Sequence, residues 1–136
     1  MPERERLTYG EMRAQLADKI GRLQSQYYGK GPTRAKAYVT DDLVAVVLHE
    51  TFTKAEKTLI ERGEQESIKH IRRRFQQHMA DEFKAIVEQV TGRVVDTFMS
   101  ETDLESDVSV EIFLLGEPRT NMQRFEARTD EAGDPS

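Results

Sequence analysis

The sequence predicts an α+β fold: a two-layer sandwich in which helices cover one face of a four-stranded, mainly antiparallel sheet. Two long segments repeat apolar residues at steps of three and four, the spacing of one helix face. Four shorter segments are rich in β-branched residues or alternate apolar with polar side chains, as strands do. The order of segments is α-β-β-α-α-β-β, and the sandwich is its simplest packing.

The first helix is predicted to begin at Thr8, because Glu11 follows it at the capping-box spacing. Gly29 is a natural C-terminal stop, and Pro32 lies shortly beyond it. The apolar stripe between these ends consists of Met12, Leu16, Ile20, Leu23 and Tyr27. The stripe predicts that one side of the helix packs on the sheet.

Two strands are predicted next. The segment "KAYVT" alternates, and "LVAVVL" is a continuous run typical of a strand that is central or covered on both faces. Asp41 and Asp42 lie between the two segments and indicate a tight turn. The two strands are therefore expected to form a hairpin.

Two helices follow this hairpin. Thr53 and Glu56 form a second capping-box pattern, which opens a short helix that stops near Gly63. A helix over about 65–91 then ends at Gly92. Its apolar stripe is Ile68, Ile71, Phe75, Met79, Phe83, Ile86 and Val90.

The long helix should measure roughly 40 Å, more than a small sheet covers. Its overhang is therefore predicted to be an exposed apolar surface that binds a second copy in a homodimer. The residues assigned to this partner-binding surface are Met79, Phe83, Ile86 and Val90.

The last two strands are predicted in "RVVDTFMSE" and "DVSVEIFLL", with the polar segment "TDLESD" as a hairpin loop. Apolar periodicity disappears after Gly116. Residues 1–116 are therefore predicted to form one α+β domain, and residues 117–136 a mobile polar tail.

The composition disfavours or excludes several classes of function. The 136 residues include 20 basic and 25 acidic groups, and the formal net charge of −5 disfavours binding of nucleic acid. The sequence contains no cysteine, so disulfide bonds and thiolate chemistry are excluded. The longest apolar run, Leu43 to Leu48, is too short to span a membrane. No secretory signal is expected, because the first ten residues are charged and lack an apolar core. A cytoplasmic protein with no direct membrane insertion is expected.

The segment "YYGKGPTRAKAYV" contains the candidate binding loop. It lacks the Ser or Thr that follows the lysine of a P-loop, and it leaves a helix rather than opening one. Two interpretations remain open: a rigid connector between helix and strand, whose cations pair with Asp41 or Asp42, or a small anion site. The anion site would use Gly29, Lys30, Gly31, Thr33 and Arg34, joined by Arg72.

The segment "KHIRRRF" places Ile71 and Phe75 toward the predicted core. Its three arginines spread over about 200° of the helix circumference, so they cannot all face one ligand. A solvated face paired with Glu66, Asp81 or Glu82 is expected. The competing interpretation places Lys69, Arg72, Arg73 and Arg74 on nucleic-acid phosphates.

No catalytic or metal-ligating set is apparent. His70 and His78 are eight residues apart, a spacing that does not suit chelation, and His49 lies elsewhere. No serine lies in a nucleophile-elbow pattern. The sequence therefore predicts a protein that is not an enzyme and needs no cofactor or metal.

One resemblance runs through these segments. The stretch from "YYGKGPT" to "LIERG", the arginine-containing long helix, "VTGRVV" and "VEIFLL" resemble the MpsC-like family of small bacterial proteins, named for a proposed sodium-translocating, membrane-potential-generating system. The matching segments cover about 16–116. The resemblance implies an accessory or regulatory partner of a membrane cation or inorganic-carbon transport system, and it carries over no catalytic residue. The alternatives are a module that senses a small anion or nucleotide, and a nucleic-acid-binding module.

Overall fold

The computed structural model describes residues 7–118 as three helices and four strands, in the predicted order. Their bounds are α1 Tyr9–Tyr28, β1 Arg34–Val39, β2 Leu43–His49, α2 Lys54–Glu61, α3 Gln65–Thr91, β3 Arg93–Asp103 and β4 Val108–Pro118. Strand β4 continues past Gly116 to Pro118, so the predicted end of the folded body is two residues early. The rest of the predicted tail lies outside the described residues.

The helix ends follow the predicted local chemistry. Thr8 and Thr53 each accept a hydrogen bond from the backbone N–H three residues later, and Glu11 and Glu56 complete the two capping boxes. Gly29 ends α1 in the left-handed conformation with φ 76°, and a glycine ends α3 in the same way. A residue with a Cβ adopts this conformation only with strain, which explains glycine at these stops.

The four strands form one antiparallel sheet in the order β1-β2-β4-β3. Strand β2 is central, as its continuous apolar run predicted. Helices cover one face of the sheet, which confirms the α+β class. The core between the layers includes Leu16, Ile20, Leu23, Val44, Val46, Leu48, Met79, Phe83, Val87, Val90, Phe113 and Leu115.

The prediction that α3 extends beyond the sheet and exposes an apolar surface is wrong. Met79, Phe83 and Val90 are buried in the protein's own core, and Ile86 packs against that core. The reason is the length of β3 and β4, which have 11 residues each and are about 36 Å long, close to the length of the helix. These four residues are therefore not a surface for a second copy.

The inward face of α3 near its start also differs from the prediction. Ile71 is 40% exposed, whereas its neighbour Arg72 is buried with 3% exposure. Phe75 is half-buried and contacts the ring of Tyr28 at 4.7 Å between centroids. An arginine thus occupies a core position where the apolar spacing had placed an isoleucine.

Candidate functional site

The loop between α1 and β1 is held by its own side chains. The Lys30 ammonium donates to the backbone carbonyls of Gly31 and Glu50. The Thr33 hydroxyl donates to the Glu50 carboxylate at 2.5 Å, which lowers the pKa of Glu50. The N–H of Gly29 is used in capping α1, through a 2.8 Å bond to Ser25. These contacts favour the connector interpretation of the loop.

The structure does not bring the whole predicted anion set together. Arg34 is exposed, and its guanidinium lies 3.3 Å from the His49 ring. Among the ion pairs of residues 7–118, neither Arg34 nor Lys30 is paired with Asp41 or Asp42. Arg72 uses its guanidinium in the core instead of turning toward the loop. Anion binding by the remaining loop residues stays a prediction.

Arg72 is the centre of a buried polar cluster. Its Nε and Nη2 atoms donate to the two carboxylate oxygens of Glu56 at 2.8 and 2.6 Å. Its Nη1 and Nη2 atoms donate to the Thr51 hydroxyl and carbonyl, both at 3.1 Å. The guanidinium plane also lies 4.0 Å from the Tyr28 ring centroid and 4.9 Å from that of Phe52. A planar, delocalised cation suits this combination of bidentate pairing and stacking.

Two pKa values follow from this environment. Burial alone would raise the pKa of Glu56, but the Arg72 hydrogen bonds and charge, with the backbone bond from Thr53, hold it below its ordinary value. Burial raises the pKa of Tyr28 to about 12, although the charge of Arg72 opposes this shift. Both groups therefore keep one protonation state around neutral pH: Glu56 is ionised and Tyr28 is neutral.

The segment that supplies Thr51 and Phe52 is fixed from the opposite hairpin. One carboxylate oxygen of Asp107 accepts from the backbone N–H of Thr51 at 2.9 Å and from that of Phe52 at 3.3 Å. The N–H of Glu50 donates to the Asp107 carbonyl at 2.8 Å. Asp107 itself has a positive φ of 55°, which places it at the sharp turn before β4. The Arg72 cluster thus ties α2, α3 and both hairpins together.

A second buried carboxyl lies on β4. Glu111 is 2% exposed and is paired in register with Ser100 of β3. Within residues 7–118, Glu111 Oε1 and Ser100 Oγ are buried atoms without a hydrogen-bonding partner of good geometry. Burial raises the pKa of Glu111 to about 7, and the nearby Ser100 hydroxyl and Arg72 charge oppose the shift. Glu111 is therefore a carboxyl that titrates near neutral pH inside the core.

An open cleft of about 690 Å³ lies beside the cluster, between the start of α3 and the β3–β4 hairpin. Arg72 is one of its lining residues. The helical wall presents Lys69, Arg73 and Gln76, and the hairpin wall consists of residues 101–105, with Glu105 at the exposed turn. Lys69 forms an exposed pair with Glu66 at 3.4 Å. The cleft is therefore basic on its helical wall and has one acidic residue at the hairpin turn.

Sequence reasoning missed the main polar features of this site. Glu56 was assigned to a capping box only, yet its carboxylate Oε1 accepts from both Thr53 and Arg72. Arg72 was expected to pair with residues on its own helix. Glu111 carried one usable signal, since a charged residue among the apolar residues of a strand is unusual. No local spacing connects Glu56 to Arg72, because their contact depends on how α2 packs on α3.

The fold and site define a small two-layer α+β protein whose helices and hairpins meet at a buried arginine. The family model described as "Na+-translocating membrane potential-generating system (MpsC)" matches residues 8–117, and the chain belongs to this family. No curated protein and no solved structure matches the chain. Over residues 7–118, no helix has the length and apolar character needed to cross a bilayer. The same range contains no group of three or more metal-ligating side chains.

Proposed function

We propose that the protein is a non-enzymatic, cytoplasmic accessory or regulatory component of a membrane system that moves Na⁺ or inorganic carbon. The observation that carries the proposal is the family match over residues 8–117, because the family description names a Na⁺-translocating, membrane-potential-generating system. In this proposal the chain acts by binding a polypeptide of the transport system.

The cleft beside Arg72 is the surface proposed for that partner. Lys69 and Arg73 project from successive turns of α3, while Glu105 lies at the exposed turn of the facing hairpin. A loop or peptide with acidic residues toward α3 and a basic residue toward this turn would find opposite charges at both places. Such charge complementarity mainly sets specificity and association rate.

The Arg72 cluster supports a binding role rather than a chemical one. The guanidinium forms four hydrogen bonds to Glu56 and Thr51 and stacks on two rings. A cation held in this way has a fixed position beside the cleft. Because Arg72 belongs to α3, its contacts would also hold the part of α3 that carries Lys69 and Arg73 in place.

The test is complementation of a host strain that lacks the gene for this chain. Na⁺ and bicarbonate uptake are measured after return of the wild type, of Lys69→Glu with Arg73→Glu, or of Lys54→Glu with Lys57→Glu. The last pair makes the same charge change on exposed positions of α2. The proposal expects rescue by the wild type and the α2 variant and loss of rescue by the cleft variant. Equal uptake with and without the gene would contradict the accessory function.

A second candidate function is the sensing of a small anion or nucleotide. The cleft volume lies in the range of small-molecule pockets, and Lys69 and Arg73 could receive a phosphate or carboxylate. Thermal unfolding with phosphate, bicarbonate and ATP distinguishes it: stabilisation that disappears in the cleft variant supports sensing. The nucleic-acid alternative is weaker, because Arg72 of its proposed basic row has its guanidinium engaged in the core.

A further inference from the structure

The face of the sheet opposite the helices is uncovered in the described chain. We name it the open face. Its side chains are identified by cross-strand pairing, since paired residues in an antiparallel sheet point to the same side. The open face consists of Arg34, Lys36, Tyr38, Leu43, Ala45, Val47, His49, Thr97, Met99, Glu101, Asp103, Val108, Val110, Ile112 and Leu114. Tyr38 is 47% exposed, Met99 52% and Leu114 39%.

The open face is ordered in rows that cross all four strands. One row runs from Lys36 through Val47 and Val110 to Glu101. The next row runs from Tyr38 through Ala45 and Ile112 to Met99, and the row on the other side begins with Arg34 and ends with Asp103. Each row is apolar or weakly polar in its middle.

The two edges of the open face carry opposite charge. Arg34 and Lys36 lie on edge strand β1, and Glu101 and Asp103 lie on edge strand β3. Neither Lys36 nor Glu101 forms an ion pair with another residue in the range 7–118. Lys36 instead lies 5.1 Å from the centroid of the exposed Tyr38 ring. The row from Lys36 to Glu101 therefore has an unpaired cation at one end and an unpaired anion at the other, at the same height along the strands.

We propose that the open face binds the open face of a second copy of this chain, about a two-fold axis parallel to the strands between β2 and β4. This axis exchanges the sheet edges, so that β1 of each copy lies over β3 of the other. Lys36 then faces Glu101 of the second copy, and Tyr38 faces Met99 of the second copy. Each pair occurs twice, as two-fold symmetry requires. Aligned sheets pack about 10 Å apart, within reach of lysine and glutamate together.

The charge pattern selects this axis over the other face-to-face arrangement. A two-fold axis perpendicular to the strands would place β1 over β1 and β3 over β3. Arg34 and Lys36 would then lie near the same residues of the second copy, and Glu101 and Asp103 likewise. Bringing like charges together at an interface opposes association. Only the parallel axis makes the face complementary to itself.

The interior of the proposed contact is apolar. Val47 and Val110 lie between the two charged ends of their row, with Ala45 and Ile112 in the next. Met99 over an aromatic ring is a favourable sulfur contact. Four strands of about seven residues give a footprint of about 20 by 20 Å, about half the area per partner of a standard stable complex. The dimer is therefore expected at micromolar rather than nanomolar concentration.

This interface is independent of the proposed transport function, although Glu101 also borders the cleft. The test is sedimentation equilibrium of the full chain over about 5–500 µM, a range chosen for an interface of this size. Lys36→Glu places two carboxylates opposite each other at each end of the dimer, and Glu101→Lys places two ammonium groups there. Each variant alone is expected to dimerise at least about tenfold more weakly than the wild type.

The decisive experiment mixes the two weakened variants, Lys36→Glu and Glu101→Lys. In the mixed dimer, the new carboxylate at position 36 faces the new ammonium group of Glu101→Lys, and the native Glu101 faces the native Lys36, so association is expected to return to within about threefold of the wild type. The double variant, which carries both Lys36→Glu and Glu101→Lys, should recover dimerisation in the same way. Lys54→Glu and Glu61→Lys, which make the same changes on exposed positions of α2, should dimerise like the wild type.

The proposal is overturned if the wild type is monomeric throughout this range, as it would be if residues 119–136 covered the face in the same chain. It is also overturned if the wild type dimerises but mixing the variants restores nothing. Circular dichroism and thermal unfolding of each variant establish that the changes in association do not come from unfolding.

Discussion

Arg72 and Glu56 form a bidentate ion pair inside the protein, with Nη2 to Oε1 and Nε to Oε2 distances of 2.6 and 2.8 Å. The two side chains are 3% and 10% exposed. Thr51 satisfies further guanidinium donors, and Thr53 satisfies the carboxylate. Removing charges from water is costly, so such a pair is sustained only when most of its hydrogen-bonding groups are satisfied. This pair attaches α2, which has only eight residues, to α3.

The first prediction concerns removal of one partner from this pair. Arg72→Ala leaves the Glu56 carboxylate buried without its cation, and the free energy of unfolding should fall by about 3–5 kcal/mol. Arg73→Ala, on the adjacent exposed position, should change it by less than about 0.5 kcal/mol. Urea unfolding followed by circular dichroism measures both. An Arg72→Ala loss as small as that of Arg73→Ala would contradict a structural role for the pair.

The fold was largely predictable because most of its signals are local. Both capping boxes, the glycine stop at Gly29 and the alternation in the strands depend on residues within a few positions of one another. Local chemistry of this kind fixes where elements begin and end. It does not fix which face of a strand meets the helices, and β4 has apolar residues on both faces. The inward face carries Ser109 and Glu111, while Val110 and Ile112 face outward.

The polar site was not predictable for the opposite reason. Apolar spacing on α3 placed Ile71 in the core and left Arg72 on the surface, because a periodicity argument treats every arginine as exposed. Arg72 is buried since Glu56, Thr51, Tyr28 and Phe52 arrive from three other parts of the chain. These contacts are long-range, and no pattern within one segment encodes them.

The second prediction concerns pH. Burial raises the pKa of Glu111 to about 7 from an ordinary 4.5, so the folded state holds a proton that the unfolded state has released. The free energy of unfolding should therefore be highest below about pH 4.5 for this group, fall as pH rises toward 7, and level off above it. The total loss is about 3 kcal/mol from the size of the shift.

Glu111→Gln cannot titrate, so its stability should lose this slope between about pH 4.5 and 7. Glu105→Gln, on the exposed hairpin turn, is the matched control and should keep the slope. Glu56 acts in the opposite sense below this window, because its depressed pKa contributes stability that is lost as pH falls below about 4.5. Urea unfolding at intervals between pH 4 and 8 separates the two; an unchanged slope in Glu111→Gln would exclude Glu111 as its source.

The third prediction compares the two capping boxes. Thr8→Ala removes an exposed cap from a helix of 20 residues and should cost about 1 kcal/mol. Thr53→Ala removes the 3.1 Å bond from Glu56 N–H to the Thr53 hydroxyl in a helix of eight residues. Because Glu56 must also hold Arg72, this loss should be nearer 2 kcal/mol. Thermal unfolding compares the variants, and equal losses would show that the cap and the ion pair are independent.

The fourth prediction concerns the loop between α1 and β1, for which the connector and anion-site interpretations differ experimentally. Lys30 donates to the carbonyls of Gly31 and Glu50, so Lys30→Ala should lower the free energy of unfolding by about 1–3 kcal/mol. Arg34 lies against His49 on an exposed strand end, and Arg34→Ala should change stability by less than about 0.5 kcal/mol. The contacts favour the connector, so adding phosphate should change the melting temperature of the wild type and of the double variant Lys30→Ala with Arg34→Ala equally. A phosphate-dependent rise in the wild type that disappears when both cations are removed would instead establish the anion site, because only a ligand held by those two side chains would respond in that way.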